Sequence, residues 1–163
     1  PLINTRGQVI GINEQIASQS GGNQGLGFAV PINTAIKVME QLKSDGEVKY
    51  AWLGISGQTL TQDVASALGI EGEGVLVAEV ADGSPADKAG LRGGSKQTFV
   101  QGQPYVVGGD VITAIDGQEV TSMEELAGTI ATHDPGDKVK LTVVRDGKTM
   151  EMTVTLSEKP SSS

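Results

Sequence analysis

Two Asp-Gly pairs, Asp116-Gly117 and Asp146-Gly147, constrain this chain more tightly than any other feature of its sequence. The two central positions of a tight hairpin turn need positive φ, which Asp and Gly accept and most residues resist. Residues 110–115 run into the first pair as a short apolar strand, and residues 138–145 face residues 148–156 across the second. Antiparallel β structure is therefore expected. With 163 residues the chain suits one domain, or one domain with an appendage. Aromatic residues are 3%, so the core must be built from Val, Ile, Leu and Ala.

Composition removes several classes of function. The net charge of −8 and the pI near 4.6 disfavour a duplex nucleic-acid binder, which needs clustered Lys and Arg. Cysteine is absent, so disulfides, thiolate metal sites and cysteine nucleophiles are excluded. The single histidine, His133, rules out a multi-histidine metal site. No apolar run approaches the ~18 residues of a membrane span, and residues 1–6 do not read as a signal peptide.

From residue 47 onward, short strands and turns alternate. The string Tyr50-Ala51-Trp52-Leu53-Gly54-Ile55 is an apolar-Gly-apolar turn leading into a strand. Thr61 caps a short helix closed by Gly69, and residues 74–80 form a strand. Residues 83–91 are a turn with one helical turn. Ser122-Met123-Glu124-Glu125 is a capping box that starts a helix running to about Thr132. The region from 47 to 158 reads as one domain and residues 159–163 as a disordered polar tail.

The first 46 residues have a different texture. After an Asn4-Thr5-Arg6-Gly7 turn come a strand over 7–14, a glycine-rich loop over 18–25, and a second strand from Leu26 to Pro31. Ala35, Val38, Met39 and Leu42 then make a helical stripe, with Asn33 as the expected N-cap and Gly46 just past the end. Two strands and one helix do not make an independent β core. Residues 1–46 are therefore expected to be the tail of a larger domain. Together the signals give a mainly β fold with short helices, an α+β arrangement.

The strings Pro-Leu-Ile-Asn, Gly-Gln-Val-Ile-Gly-Ile-Asn and Leu-Gly-Phe-Ala-Val-Pro-Ile-Asn in residues 1–33 resemble HtrA/Deg-type trypsin-like serine proteases. The order Leu53-Gly54-Ile55, Ser84-Pro85-Ala86, Ala89-Gly90-Leu91, Gly108-Gly109-Asp110, Asp116-Gly117 and the capped helix resembles the PDZ domain that follows the protease domain in that family. Each piece alone is weak; the ordered series is specific. The resemblance implies a PDZ-like, partly open β-barrel with two helices, preceded by the last strands and C-terminal helix of a trypsin-like β-barrel. Residues 92–107 depart from it as a long insertion, read as a mobile surface loop or a partner-contact loop.

The resemblance also implies roles. The chain would begin just after the nucleophilic serine and hold no member of the catalytic triad. Ser20-Gly21-Gly22 lacks the nucleophile's frame and reads as a turn, while His133 reads as a helix-end residue with no plausible partner. Asn13, Glu14, Gln15 and Ile16 would border the protease's substrate strand, and Leu26, Gly27 and Phe28 would wall its primary pocket; ordinary barrel packing explains them equally well. In the PDZ part, the N–H groups of Leu53, Gly54 and Ile55 would receive a peptide's terminal carboxylate. The peptide would add as a strand beside Ile55, Ser56 and Gly57. Met123, Ala127 and Ile130 would face it from the helix, with Leu126 and Val111 as core.

The family further implies peptide binding in protein quality control, with C-terminal peptides of unfolded or misfolded proteins and the N-terminal part of the protease domain as partners. It implies a homotrimeric or higher parent outside the cytoplasm, in the periplasm or cell envelope, with no nucleic acid, metal or cofactor. The parent would be a serine endopeptidase and this chain inactive alone. The alternative is a stand-alone PDZ peptide-binding or scaffold module. A PDZ-linked serine–lysine protease is disfavoured because Lys37, Lys43, Lys49, Lys88, Lys138, Lys140 and Lys148 all lie in polar contexts.

Overall fold

A computed structural model describes residues 1–16, 27–70 and 72–160. The expected turn at Ser20 and the pocket residue Leu26 lie outside these residues, as do 161–163 of the polar tail. The chain divides into two compact units, Pro1–Val48 and Lys49–Ser163.

The first unit contains β1 (Leu2–Ile3), β2 (Val9–Ile16), β3 (Gly27–Pro31) and α1 (Ile32–Ser44). Its antiparallel sheet has the order β1-β2-β3, one strand more than the sequence reading expected. Asn4 supplies the reason: its side-chain oxygen accepts the N–H groups of Arg6 at 2.9 Å and Gln8 at 3.0 Å, folding Leu2-Ile3 back onto β2. The helix begins before the expected cap. Pro31, with φ −55° and ψ 138°, occupies the N-cap position and Asn33 falls inside the first turn. No side chain of α1 is buried. Leu2, Ile3, Phe28, Met39 and Leu42 are each at least half exposed.

The second unit holds β4 (Ala51–Trp52), β5 (Ile55–Leu60), α2 (Gln62–Leu68), β6 (Gly74–Val80), α3 (Pro85–Ala89), β7 (Lys96–Val100), β8 (Gln103–Val107), β9 (Val111–Ile115), β10 (Gln118–Glu119), α4 (Met123–Thr132), β11 (Lys138–Arg145), β12 (Lys148–Thr155) and β13 (Ser157–Glu158). The main sheet runs β12-β11-β9-β6-β5, with β10 paired to β9. All its pairs are antiparallel. Both Asp-Gly pairs turn the chain as expected, Asp116 and Asp146 each at φ 50° and their glycines at 78° and 73°.

The sheets are open, and the described residues form no closed barrel: β5 and β12 end the main path, while β4 and β13 pair separately. Three helices are present in this unit, the two that the resemblance implies and the helical turn read within residues 83–91. That helical turn, α3, is held by Ser84, whose hydroxyl accepts the Asp87 N–H at 3.1 Å, with Pro85 in the first turn. The 92–107 insertion is a β-hairpin, not a loop. Gln101 and Gly102 take φ 51° and 79° at its tip, and the Gln58 side chain bonds the Pro104 carbonyl and the Val106 N–H along its β8 edge.

The core is aliphatic. Val75, Ile112, Ile115, Leu126, Leu141 and Val143 are fully buried in one cluster, and Leu60, Ala65, Leu76 and Val111 form a second. Leu126 and Val111 are thus core residues, as expected. No helix among the described residues is long and apolar enough to cross a membrane.

Candidate functional site

A cleft of about 460 Å³ opens between the β4–β5 turn and α4. Leu53, Gly54 and Ile55 line it from the turn, and Met123, Ala127 and Ile130 from the helix. These are six of the eight residues expected at a peptide site. The other two, Ser56 and Gly57, continue β5, the edge strand of the main sheet. Tyr50, Ala51, Trp52, Ala131 and Lys159 also line the cleft and were not anticipated. Lys159, expected in the polar tail, instead donates its N–H to the Tyr50 carbonyl at 2.9 Å.

The turn is held from behind. The Leu53 carbonyl accepts the Ala86 N–H and the Gly54 carbonyl accepts the Ala81 N–H, both at 2.9 Å. Because each peptide is planar and trans, bonding these two carbonyls to Ala86 and Ala81 turns the Gly54 and Ile55 N–H groups to the opposite side. Gly54 is required twice over. Its φ of +87° is the left-handed region, and an added Cβ would overlap the Ser84 Cβ and lie 2.7 Å from the Ser84 hydroxyl. The close approach that excludes a side chain here is therefore to α3. Ser84, 1% exposed, is the buttress.

The helix wall is fixed at its start. Ser122 accepts the Glu125 N–H at 3.2 Å, and the Met123 N–H donates to the Thr59 hydroxyl on β5 at 3.1 Å. The Glu125 carboxylate reaches back to the Thr121 N–H at 2.8 Å and hydroxyl at 2.9 Å, one residue beyond the usual capping-box partner. Those bonds hold its pKa below the ordinary glutamate value, the Thr121 backbone bond contributing most. Spacing along α4 puts Leu126 in the core at 0% exposure and the neighbouring Ala127 in the cleft. Gly57 sits at a register shift in β5, where a Cβ would come within 2.8 Å of Val75 Cγ1 and 3.0 Å of the Leu76 carbonyl.

His133 does have partners, contrary to expectation. Its Nε2 lies 3.5 Å from an Asp116 oxygen and its Nδ1 3.7 Å from an Asp137 oxygen. Asp116 is delivered there by the hairpin turn, a tertiary placement with no local sequence signal, whereas Asp137 stands four residues along the chain, in the turn after α4.

In the first unit, Asn13, Glu14, Gln15 and Ile16 lie on β2, and Gly27 and Phe28 on β3. The register pairs Gln15 with Phe28 and Ile16 with Gly27, with a shift between Asn13 and Gln15. These residues therefore share one end of the β2–β3 ladder. Phe28 is 54% exposed.

Chemically, the cleft offers an apolar floor, the Leu53–Gly54–Ile55 turn at one end and, among the described residues, a strand edge with no partner strand along β5. An extended peptide with a free carboxylate and alternating apolar side chains matches all three.

Comparison with known proteins shows which family the chain resembles. The PDZ domain family matches residues 51–156. The chain is 42% identical over 161 residues to a probable periplasmic serine endoprotease DegP-like of Hahella chejuensis, spanning 98% of this chain and 31% of that protein. It is 42% identical to the protein of the same description in Chlamydia trachomatis, spanning 98% of this chain and 29% of that one. The chain thus spans about a third of the length of these curated relatives. Among solved structures, the HtrA-type protease AlgW with decapeptide superposes with a TM-score of 0.69 at 34% identity, covering 96% of this chain and 44% of that chain. The chain belongs to the PDZ domain family, in the form found in the C-terminal region of HtrA/DegP-like proteases.

Proposed function

We propose that this chain binds the free C-termini of peptides, and that it does so as the PDZ-containing part of an HtrA-type serine endopeptidase acting in protein quality control. The observation that carries the reading is the inward bonding of the Leu53 and Gly54 carbonyls beside the open β5 edge. The ligand carboxylate would take the N–H groups of Leu53, Gly54 and Ile55. Its last side chain would lie among Leu53, Ile55, Ala127 and Ile130, and the third from the end would meet Met123. Ser56 and Gly57 would pair with the peptide backbone. Apolar ligand residues are preferred at both positions, because no polar side chain stands at Met123.

In this reading residues 1–46 are the last strands and C-terminal helix of a trypsin-like barrel, residues 47–158 the PDZ domain, and the β2–β3 end around Phe28 a wall of the protease pocket. Similarity to DegP-like relatives across 98% of the chain favours this over a stand-alone PDZ scaffold, which has no need of the first unit. Hydrolysis would require the rest of the protease domain. A periplasmic or cell-envelope location is in keeping with the names of these relatives; misfolded proteins as substrates and a homotrimeric or larger parent are what the HtrA/Deg resemblance implies.

Calorimetric titration with paired free-acid and amidated peptides tests the reading. Amidation removes the charge that the turn solvates and is expected to cost roughly 1.5–3 kcal/mol on an affinity of the order of micromolar. Equal binding of the two forms overturns it.

A further inference from the structure

Among the described residues that line the cleft, Lys159 is the one that is charged; the ten others are apolar or aromatic. The chain carries a net charge of −8, so its overall field opposes an anionic ligand, and a single local cation changes that balance where the ligand docks.

The position of Lys159 follows from a strand pair that brings the end of the chain back to the start of the unit. Ser157 pairs with Trp52 and Glu158 with Ala51, and the ladder continues one step through the Lys159 N–H to the Tyr50 carbonyl. Side chains alternate along paired strands, so Lys159, Tyr50 and Trp52 emerge on one face. Trp52, on that face, packs against the turn, its Cη2 3.2 Å from where a Gly54 Cβ would stand, on the side that Ser84 occupies. Lys159 itself is exposed, so its ammonium is free of the desolvation cost that a buried cation would carry.

We infer that Lys159 is a second anchor for the ligand's terminal carboxylate, adding a mobile cation to the fixed N–H donors of the Leu53–Gly54–Ile55 turn. The inference rests on the peptide-terminus reading above and extends it to a residue outside the turn and helix. An exposed ion pair of this kind contributes selectivity for a charged terminus and faster encounter more than raw affinity.

The probe is the hexapeptide Gly-Ser-Ala-Leu-Ala-Val, as free acid and as amide, titrated into the full chain and into Lys159→Gln and Lys159→Arg at low and high salt. Wild type is expected to prefer the acid. Lys159→Gln is expected to weaken the acid roughly three- to fivefold at low salt, the scale of an exposed ion pair, and to leave the amide unchanged. High salt should shrink that loss, and Lys159→Arg should restore wild-type binding. An equal loss for acid and amide, or no loss for either, overturns the anchor role while the carboxylate turn stands. A wild type that binds both forms equally overturns the underlying reading instead.

Discussion

Arg145 closes on Asp110 with two hydrogen bonds of 2.7 Å, one from Nε and one from Nη2, and the same Nη2 reaches the Gly90 carbonyl at 2.7 Å. The Asp110 carboxylate also takes the Arg92 N–H at 2.9 Å, and its side chain is 1% exposed. One buried carboxylate thus ties the end of β11 to the segment after α3 and to the start of the 92–107 hairpin. The bond to Asp110 raises the Arg145 pKa, so the guanidinium stays charged.

Breaking this pair from one side should be costly. Arg145→Ala leaves the Asp110 charge buried without its partner, and a loss of about 3–5 kcal/mol is expected in chemical denaturation. The double variant Asp110→Leu/Arg145→Met removes both charges and should recover part of that loss. A single variant within 0.5 kcal/mol of wild type would show that the pair carries no net stability.

The Gly54–Ser84 contact gives a second prediction. Gly54→Ala must adopt the unfavourable positive φ, at about 1–2 kcal/mol, and must also displace Ser84. Destabilisation of about 2 kcal/mol or more is expected, with loss of peptide binding in calorimetry. Ser84→Gly added to Gly54→Ala relieves the overlap, gives up only a few tenths as a helix cap, and leaves the φ penalty. If Gly54→Ala is neutral in both stability and binding, the turn is not held as described.

These contacts mark the limit of what could be read from the sequence. The hairpins at Asp116-Gly117 and Asp146-Gly147 were legible because their turn geometry is written in two adjacent residues. The Gln101-Gly102 hairpin has the same positive-φ geometry, but glutamine is a poor signal for it, so residues 92–107 read as a loop. The cleft's two main walls were legible because an apolar-Gly-apolar turn and a capped helix are local patterns. Ser84 behind Gly54, and Lys159 opposite Tyr50, were not, because both depend on chain-distant pairing. Lys159 arrives through two-residue strands too short to carry periodicity.

Glu125 gives a pH dependence of definite sign. Its folded pKa lies below the ordinary glutamate value of 4.5, chiefly through the Thr121 N–H. The unfolded state binds the proton more readily, so the stabilisation is present above the ordinary value and is lost as pH falls through the lowered folded value. The gap in melting temperature between wild type and Glu125→Gln should therefore narrow on acidification across that window. A gap independent of pH there would exclude a contribution from the carboxylate.

The first unit should be the less stable one. Among the described residues, none of the buried hydrophobic core comes from it, and Leu2, Ile3, Phe28, Met39 and Leu42 present apolar surface to solvent. Local stability follows buried apolar contact, so amides of Pro1–Val48 should exchange faster than those of the β11–β12 ladder. Uniform protection in a monomeric sample would refute this.

Leu126 and Ala127 separate stability from binding within one turn of α4. Leu126 is fully buried among Ile112, Ile115 and Leu141, so Leu126→Ala should cost about 2–5 kcal/mol, from lost transfer energy and the cavity left behind. Peptide affinity, measured well below the transition, should change little, because Leu126 does not line the cleft. Ala127→Phe should do the reverse. Ala127 is exposed and lines the cleft, so stability should stay within about 0.5 kcal/mol. The ring would occupy the space expected for the ligand's last side chains, and affinity should fall about tenfold or more, about 1.4 kcal/mol. Denaturation curves and titrations on the two variants read the four numbers directly. If Ala127→Phe binds a free-acid peptide as tightly as wild type does, the groove between β5 and α4 is not where the peptide lies.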